Sequence, residues 1–190
     1  MEIERLEELH FQMNRVIEHY LIYRAINKTI YKNVGVLEMS EFLVVTLDAH
    51  LEMFFVIWCK IFGSDKNNRL HYSRFIELNS FSRQLSEIDS EIDFDKYVIQ
   101  MKRFRNKYVA HSDDYNEPVP HLESALKAIF VLDKMIKTLI DSIIDSIKND
   151  KDIEELECLK DSFGALEDYY SASKQKYMSV LDKISLTSLD

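Results

Sequence analysis

The chain has 190 residues, 46% of them hydrophobic and 30% charged, which is enough apolar material for one well-buried domain. Its formal net charge of -9 excludes general affinity for nucleic acid unless positive charge is concentrated somewhere, because an acidic surface repels a polyanion. Two cysteines, Cys59 and Cys158, without metal-ligand spacing argue against a disulfide framework and for free thiols in a reducing cytoplasm.

Three Gly and two Pro leave few tight turns, and apolar periods near 3.6 run along most of the chain. Together they predict an all-α bundle of about five to six long antiparallel helices. The N-terminus, MEIERLEELH, is charged from its second residue and lacks the apolar core of a signal peptide. From Glu2 to about Lys32, Ile3, Leu6, Met13, Ile17, Tyr20 and Leu21 form the stripe of an amphipathic helix whose Glu-rich first turns suit the helix dipole. Gly35 offers a break, and Ser40 or a neighbour caps the second helix. Phe42 to Phe62 is the most apolar run, with 16 hydrophobic residues in 21, yet it contains Asp48, His50, Glu52 and Lys60. Four such groups argue against a membrane span. The run reads instead as a central helix buried on nearly all sides, within the bundle or against a second protomer. Asp48 and Glu52 are spaced i, i+4, with His50 between them on another side. They are either a catalytic or metal group or residues that face a solvated groove and pair with basic neighbours.

Gly63 to Asn68, GSDKNN, is a loop rich in turn formers, and a shorter helix follows from about Tyr72 to Leu85. Glu87, Asp89, Glu91, Asp93 and Asp95 then precede a basic helix. They either favour its positive end or form an acidic edge that confines a polyanion to the basic side. Beyond that helix, YNEPVPH (Tyr115 to His121) holds both prolines and is extended. A long helix with Leu122, Ala125, Ile129, Leu132, Ile136, Leu139, Ile143 and Ile147 in register supplies much of the core. Another runs from Asp152 to about Tyr170, weakened at Gly164, and YYSASKQKYMSVLDKISL continues it or forms a further helix with a capping or dimer-contacting role. LTSLD at the end is expected to fray. No internal repeat, Gly-rich phosphate loop, Cys-pair metal motif or nucleophile elbow is present.

The chemistry concentrates between residues 94 and 115. Residues 96 to 112 carry Lys96, Lys102, Arg103, Arg105 and Lys107 and no acid, reversing the sign of the chain. Phe94, Tyr97, Met101, Phe104, Tyr108 and His111 follow at steps of three and four, one apolar stripe ending in an imidazole. At about 100° per residue, Arg105 stands to one side of that stripe and His111 to the other, within an Arg side chain's reach. A phosphate across the helix end would meet a forked guanidinium and a group titrating near neutrality, with an ordinary pKa of about 6.5. Lys102, Arg103 and Lys107 form a solvated basic face that attracts RNA. Tyr108 is a core residue or a base-stacking one. Asp113 either pairs with His111, raising its pKa, or ends the helix. The plain alternative is a surface Arg beside a core His.

RNKYVAH (Arg105 to His111) resembles the R-polar-x4-H signature of the HEPN superfamily, small all-α proteins whose motif marks many metal-independent RNases of prokaryotic defence and toxin systems. RNKYVAHSD (Arg105 to Asp113), with WCKIFGSDKNN (Trp58 to Asn68), most resembles the AbiU-type abortive-infection branch. The resemblance covers roughly residues 1 to 145. It implies a HEPN-like helical bundle over 1–148, with residues 149–190 a C-terminal helical extension packed on the same domain. It further implies a cytoplasmic endoribonuclease of a phage-defence or toxin system, needing no cofactor, metal or membrane. Two protomers would face both motifs into one cleft, and RNA would be cut by attack of its 2′-hydroxyl on the adjacent phosphate. His111 would be the general acid or base, Arg105 would stabilise charge on the phosphate, and Asn106 would orient the pair or hydrogen-bond the phosphate. RNA, a second copy and an antitoxin or regulatory protein are the implied partners. In members paired with a nucleotidyltransferase antitoxin, a Tyr two positions after the His receives AMP; Asp113 stands there and the nearest Tyr is Tyr115, which puts that control in doubt. A catalytically silent HEPN-like module that binds RNA or a partner protein is the second reading.

Overall fold

The computed structural model describes residues 3–32, 40–109, 118–146 and 150–187, and among them there is no strand. Seven α-helices appear: α1 (Ile3–Lys32), α2 (Ser40–Phe62), α3 (Leu78–Ile88), α4 (Phe94–Phe104), α5 (Leu122–Ile144), α6 (Asp150–Ser162) and α7 (Leu166–Thr187). A 3-10 turn, Tyr72–Arg74, precedes α3, and a π-helical segment, Arg105–Val109, continues α4. The all-α class follows from the apolar periods. The helix count exceeds the expected five to six because the C-terminal run divides at Gly164, whose φ of +81° lies in the left-handed region.

The core is one continuous cluster. From α1 it takes Leu6, Leu9, Met13, Val16 and Ile17, and from α5 Ala125, Ile129, Leu132 and Ile136, all fully buried. Leu156, Leu159, Phe163 and Leu166 are buried too, although the helix is interrupted between α6 and α7. Trp58 is fully buried, and its indole N–H donates to the Ala125 carbonyl at 3.2 Å, tying α2 to α5. Phe62 and Tyr97 lie 4.7 and 5.7 Å from its ring, the latter edge-on. Aromatic pairs in such tilted geometries add about 0.5–1.5 kcal/mol beyond burial. Tyr97 also donates to the His121 carbonyl at 2.7 Å, and Phe104 packs on Phe55 at 4.3 Å, so α4 is pinned at both ends.

Three expectations are corrected. First, α2 is not buried on nearly all sides within its own chain. Residues 51–62 enter the core, whereas Phe42, Val44 and Val45 in its first turns are 78%, 41% and 67% exposed. By length and composition alone, the span Glu41–Phe62 also suffices to cross a membrane. Second, the helix expected from Tyr72 starts at Leu78. Residues 72–74 close i→i+3 bonds, and the Glu77 carboxylate accepts from Asn79 and Ser80 N–H at 2.9 and 2.6 Å, which makes Glu77 the N-cap. Third, the helices are not all antiparallel. Tyr169 donates to Glu18 at 3.1 Å and Tyr170 lies 6.1 Å from Tyr20, while Lys174 and Tyr177 share a cavity with Arg24 and Lys28. Residue numbers rise together along both helices, so α7 runs parallel to α1.

Other expectations agree with the structure. Asp93 caps α4, accepting from the Lys96 N–H at 3.2 Å, so at least this member of the acidic run serves the helix end. Asn67, at φ 57°, and Asn68, which donates to the Lys60 and Ser64 carbonyls, close the GSDKNN loop. Ser40 is the first helical residue of α2, not a cap before it, while the residues that precede it, the break at Gly35 and residues 115–117 of the proline segment lie outside the described residues.

Asp133 on α5 holds the C-terminal turn. It is 1% exposed, and its Oδ2 accepts the Leu166 N–H at 3.2 Å while Oδ1 has no partner among the described residues. Burial raises its pKa, against the pull of the Gly164 and Leu166 backbone and of Lys137 and Lys134. A raised carboxyl pKa means that its stabilising contribution is complete below the unfolded value of 3.8 and is lost as pH rises through the folded value. Asp133→Asn, which keeps an acceptor and removes the charge, is expected to match or exceed the wild type in urea denaturation at pH 7. Asp133→Ala, which strands the amide, should lose about 1–3 kcal/mol.

Candidate functional site

The sequence motif falls on the end of α4, and the backbone there is not α-helical. After Phe104 the chain widens into the π segment, an i→i+5 turn that recurs at functional sites in helices. The angular offset between Arg105 and the residues after it, reckoned at an α-helical pitch, therefore does not carry through. His111 and Asp113 lie outside the described residues.

What the structure places is the first half of the motif. Arg105 is half-buried, and its Nε and Nη2 both donate to the Asn106 Oδ1, at 2.9 and 2.7 Å. The polar residue after the Arg thus closes a fork on the guanidinium and fixes its plane. Among the described residues, the other three N–H groups of the guanidinium have no hydrogen-bond partner and can serve an anion. Asn106, Lys107 and Arg103 are exposed and Lys102 is half-buried.

The described part of the motif, Arg105–Val109, packs beside α2, which carries Trp58 to Phe62 of the other segment. Burial pushes the Cys59 thiol up to about 11, and the nearby charges of Arg105 and Lys102 pull the other way. Cys59 therefore stays a neutral thiol near pH 7. The two cations flank the C-terminal end of α2. Lys102 and Arg74 also act on His71, whose pKa burial lowers, Asp65 opposing them. The positive strip thereby continues from the motif to the loop before α3.

Sequence reasoning missed the far end of that strip. Arg5, Arg69 and Arg74 line an open cavity of about 380 Å³ with Asn67 and Asn68. Arg5 donates to the Arg69 carbonyl at 2.7 Å and stacks 5.4 Å over the Phe75 ring, while Arg69 pairs with Glu8 and Arg74 donates to the Asp65 carbonyl at 3.0 Å. Arg5 stands more than sixty positions from the other two, so no local pattern could have announced the group.

The Asp48, His50 and Glu52 constellation does not converge. Tyr108 donates to Asp48 at 3.5 Å and stacks on Phe104 at 4.9 Å, and burial, Asp48 and Glu52 raise its pKa. Tyr108 is thus half-buried against α2, and the two carboxylates face it. His50 instead meets His19 of α1, Nδ1 to Nδ1 at 2.9 Å. No group of three or more His, Cys, Asp or Glu arranged to hold a metal occurs among the described residues.

One Nδ1 must donate and the other accept, so at least one of the two imidazoles is neutral. Burial, then His50 and Arg15, push His19 down to about 4, and burial lowers His50. The depressed folded pKa means that stability is full above the unfolded value of 6.5 and is lost as pH falls towards 4. The urea midpoint is expected to drop between pH 6.5 and 4, and His50→Gln should make that drop shallower. Against protein-family models, curated proteins and solved structures, the chain matches none.

Proposed function

We propose that this protein is a HEPN-type, metal-independent endoribonuclease of a phage-defence or toxin system, working as a homodimer in the cytoplasm. The observation that carries the reading is the Arg105 guanidinium, clamped by Asn106 on a π turn at the accessible end of a basic helix. A phosphate seated there would meet oriented charge, with His111 either the base that takes the proton of the attacking 2′-hydroxyl or the acid that protonates the 5′-oxygen as its bond to phosphorus breaks, leaving a 2′,3′-cyclic phosphate. Lys102, Arg103 and Lys107, and beyond them Arg74, Arg69 and Arg5, supply a track for the backbone of a single strand in an otherwise acidic chain.

Dimerisation belongs to the proposal because one motif offers one Arg and one His. Phe42, Val44 and Val45 expose an apolar face on α2, one to two turns before the Asp48 that Tyr108 of the motif contacts. A second copy covering that face would bring two basic strips together.

The second reading, a catalytically silent HEPN-like module, draws on Asp48 and Glu52, whose carboxylates stand beside Tyr108 and repel a polyanion at that edge. One experiment separates the two. Mixed with single-stranded RNA in EDTA, the wild type should cleave, and His111→Ala and Arg105→Ala should each be slower by about 10²-fold or more. RNA that is bound but left intact would favour the silent module, and unimpaired cleavage by His111→Ala would reject the catalytic assignment. In light scattering, the double variant Phe42→Glu, Val45→Glu should run as a monomer with its helical signal intact, and should lose cleavage with the dimer.

A further inference from the structure

The last two helices lie outside the stretch that carries the HEPN resemblance, and α7 builds something there. Between α1 and α7, over the first turn of α5, lies a cavity of about 580 Å³, within the range of about 300–1,000 Å³ typical of small-molecule sites.

Its walls are two matched stripes. Tyr20, Arg24 and Lys28 stand at successive turns of α1, and Tyr170, Lys174 and Tyr177 at successive turns of the parallel α7. Tyr20 is buried and lies 6.1 Å from Tyr170, giving an aromatic floor, and the Lys174 ammonium sits 5.4 Å from the Tyr170 ring centroid. Tyr177 is half-buried further along the same wall.

The charges are unbalanced in a useful way. Glu123 is the one carboxylate among the described lining residues, and it is already engaged: Tyr20 donates to it at 2.9 Å and Arg24 lies 3.8 Å away. Its pKa is lowered even though burial works against it, so it stays ionised. Three cations against one carboxylate leave a surplus of two positive charges. Arg24 and Lys28, at i and i+4, repel each other, and Lys174 across the cavity adds to the repulsion. A phosphate monoester, at about -1.5 to -2 near pH 7, neutralises that surplus.

We infer that this cavity binds a nucleoside monophosphate, its base against Tyr177 and its phosphate towards Arg24, Lys28 and Lys174. Tyr20 is buried and the Lys174 ammonium lies over Tyr170, so the half-buried Tyr177 offers the ring on which a base stacks, and the cations offer the charge that a bare nucleoside does not use. Arg105 does not line the cavity, so the inference stands apart from the nuclease reading.

Calorimetry on the full chain with AMP, GMP, CMP and UMP tests it, with adenosine and inorganic phosphate as controls. At least one mononucleotide should bind at one site per chain and raise Tm, while adenosine and phosphate each bind at least about tenfold more weakly. Lys174→Ala and Tyr177→Ala should each weaken binding by about tenfold, and Arg105→Ala should bind as the wild type does. Lys28→Glu, at an exposed position, provides a third variant should either of the first two lose its helical signal. Absence of binding by all four mononucleotides, inorganic phosphate binding as tightly as they do, or unchanged affinity in the cavity variants would each overturn the inference. Loss of binding in Arg105→Ala alone would overturn it as well, placing the ligand at the motif.

Discussion

The hydrogen bond from the Trp58 indole to the Ala125 carbonyl is the contact on which the arrangement of this bundle depends. A fully buried indole must place its N–H on an acceptor or lose the cost of stripping it of water. The acceptor here is a carbonyl in the first turn of α5, so the depth and rotation of α2 against α5 are set together. Tyr97 packs edge-on to the same indole and donates to the His121 carbonyl just before α5 begins. The basic helix α4 is therefore held to the same joint, and with it the point where its chain emerges at Arg105. The proposed RNA track inherits its geometry from this buried aromatic corner.

Much of the fold was legible because burial enforces period. The stripes of α1, α5 and α6 appear in the sequence largely as they appear in the core, since an apolar residue out of register would face water; Ile3, Leu139 and Ile143 are half-buried, and Ile147 lies outside the described residues. Misjudgements came where a local polar interaction outweighed that signal. Tyr72 and Phe75 are buried and sit at helical spacing, yet Glu77 offers a carboxylate to two backbone N–H groups and starts the helix there instead. The apolar start of α2 misled in the opposite sense. Phe42 and Val45 satisfy any hydrophobicity count, but nothing of the described chain lies over them. Gly164 was visible as a weak point, whereas the Asp133 carboxylate that receives the next helix is thirty-three residues away and left no trace in local sequence.

The candidate site divides along the same line. Arg105 and Asn106 are neighbours, so their fork could be anticipated from adjacency, and the basic run from Lys102 to Lys107 needed only counting. Arg5, Arg69 and Arg74 come together through the loop before α3, and Tyr20, Arg24 and Lys28 meet Tyr170, Lys174 and Tyr177 through the parallel docking of α7. Such groupings are tertiary, and no window of sequence contains them. In a chain of net charge -9, both groupings gather cations where acids would be expected to dilute them.

The wide turn at Arg105–Val109 bears on how this region can change over time. A π turn accommodates one residue more than an α turn, much as a spacer washer takes up slack in a shaft. Losing a residue there would return the coil to ordinary pitch and re-aim the residues that follow directly, while the Trp58 corner, held to α5 by its own contacts, stayed in place. Lineages carrying this helix thus have a way to re-aim the segment by insertion or deletion alone, without first having to rebuild the interior that supports it.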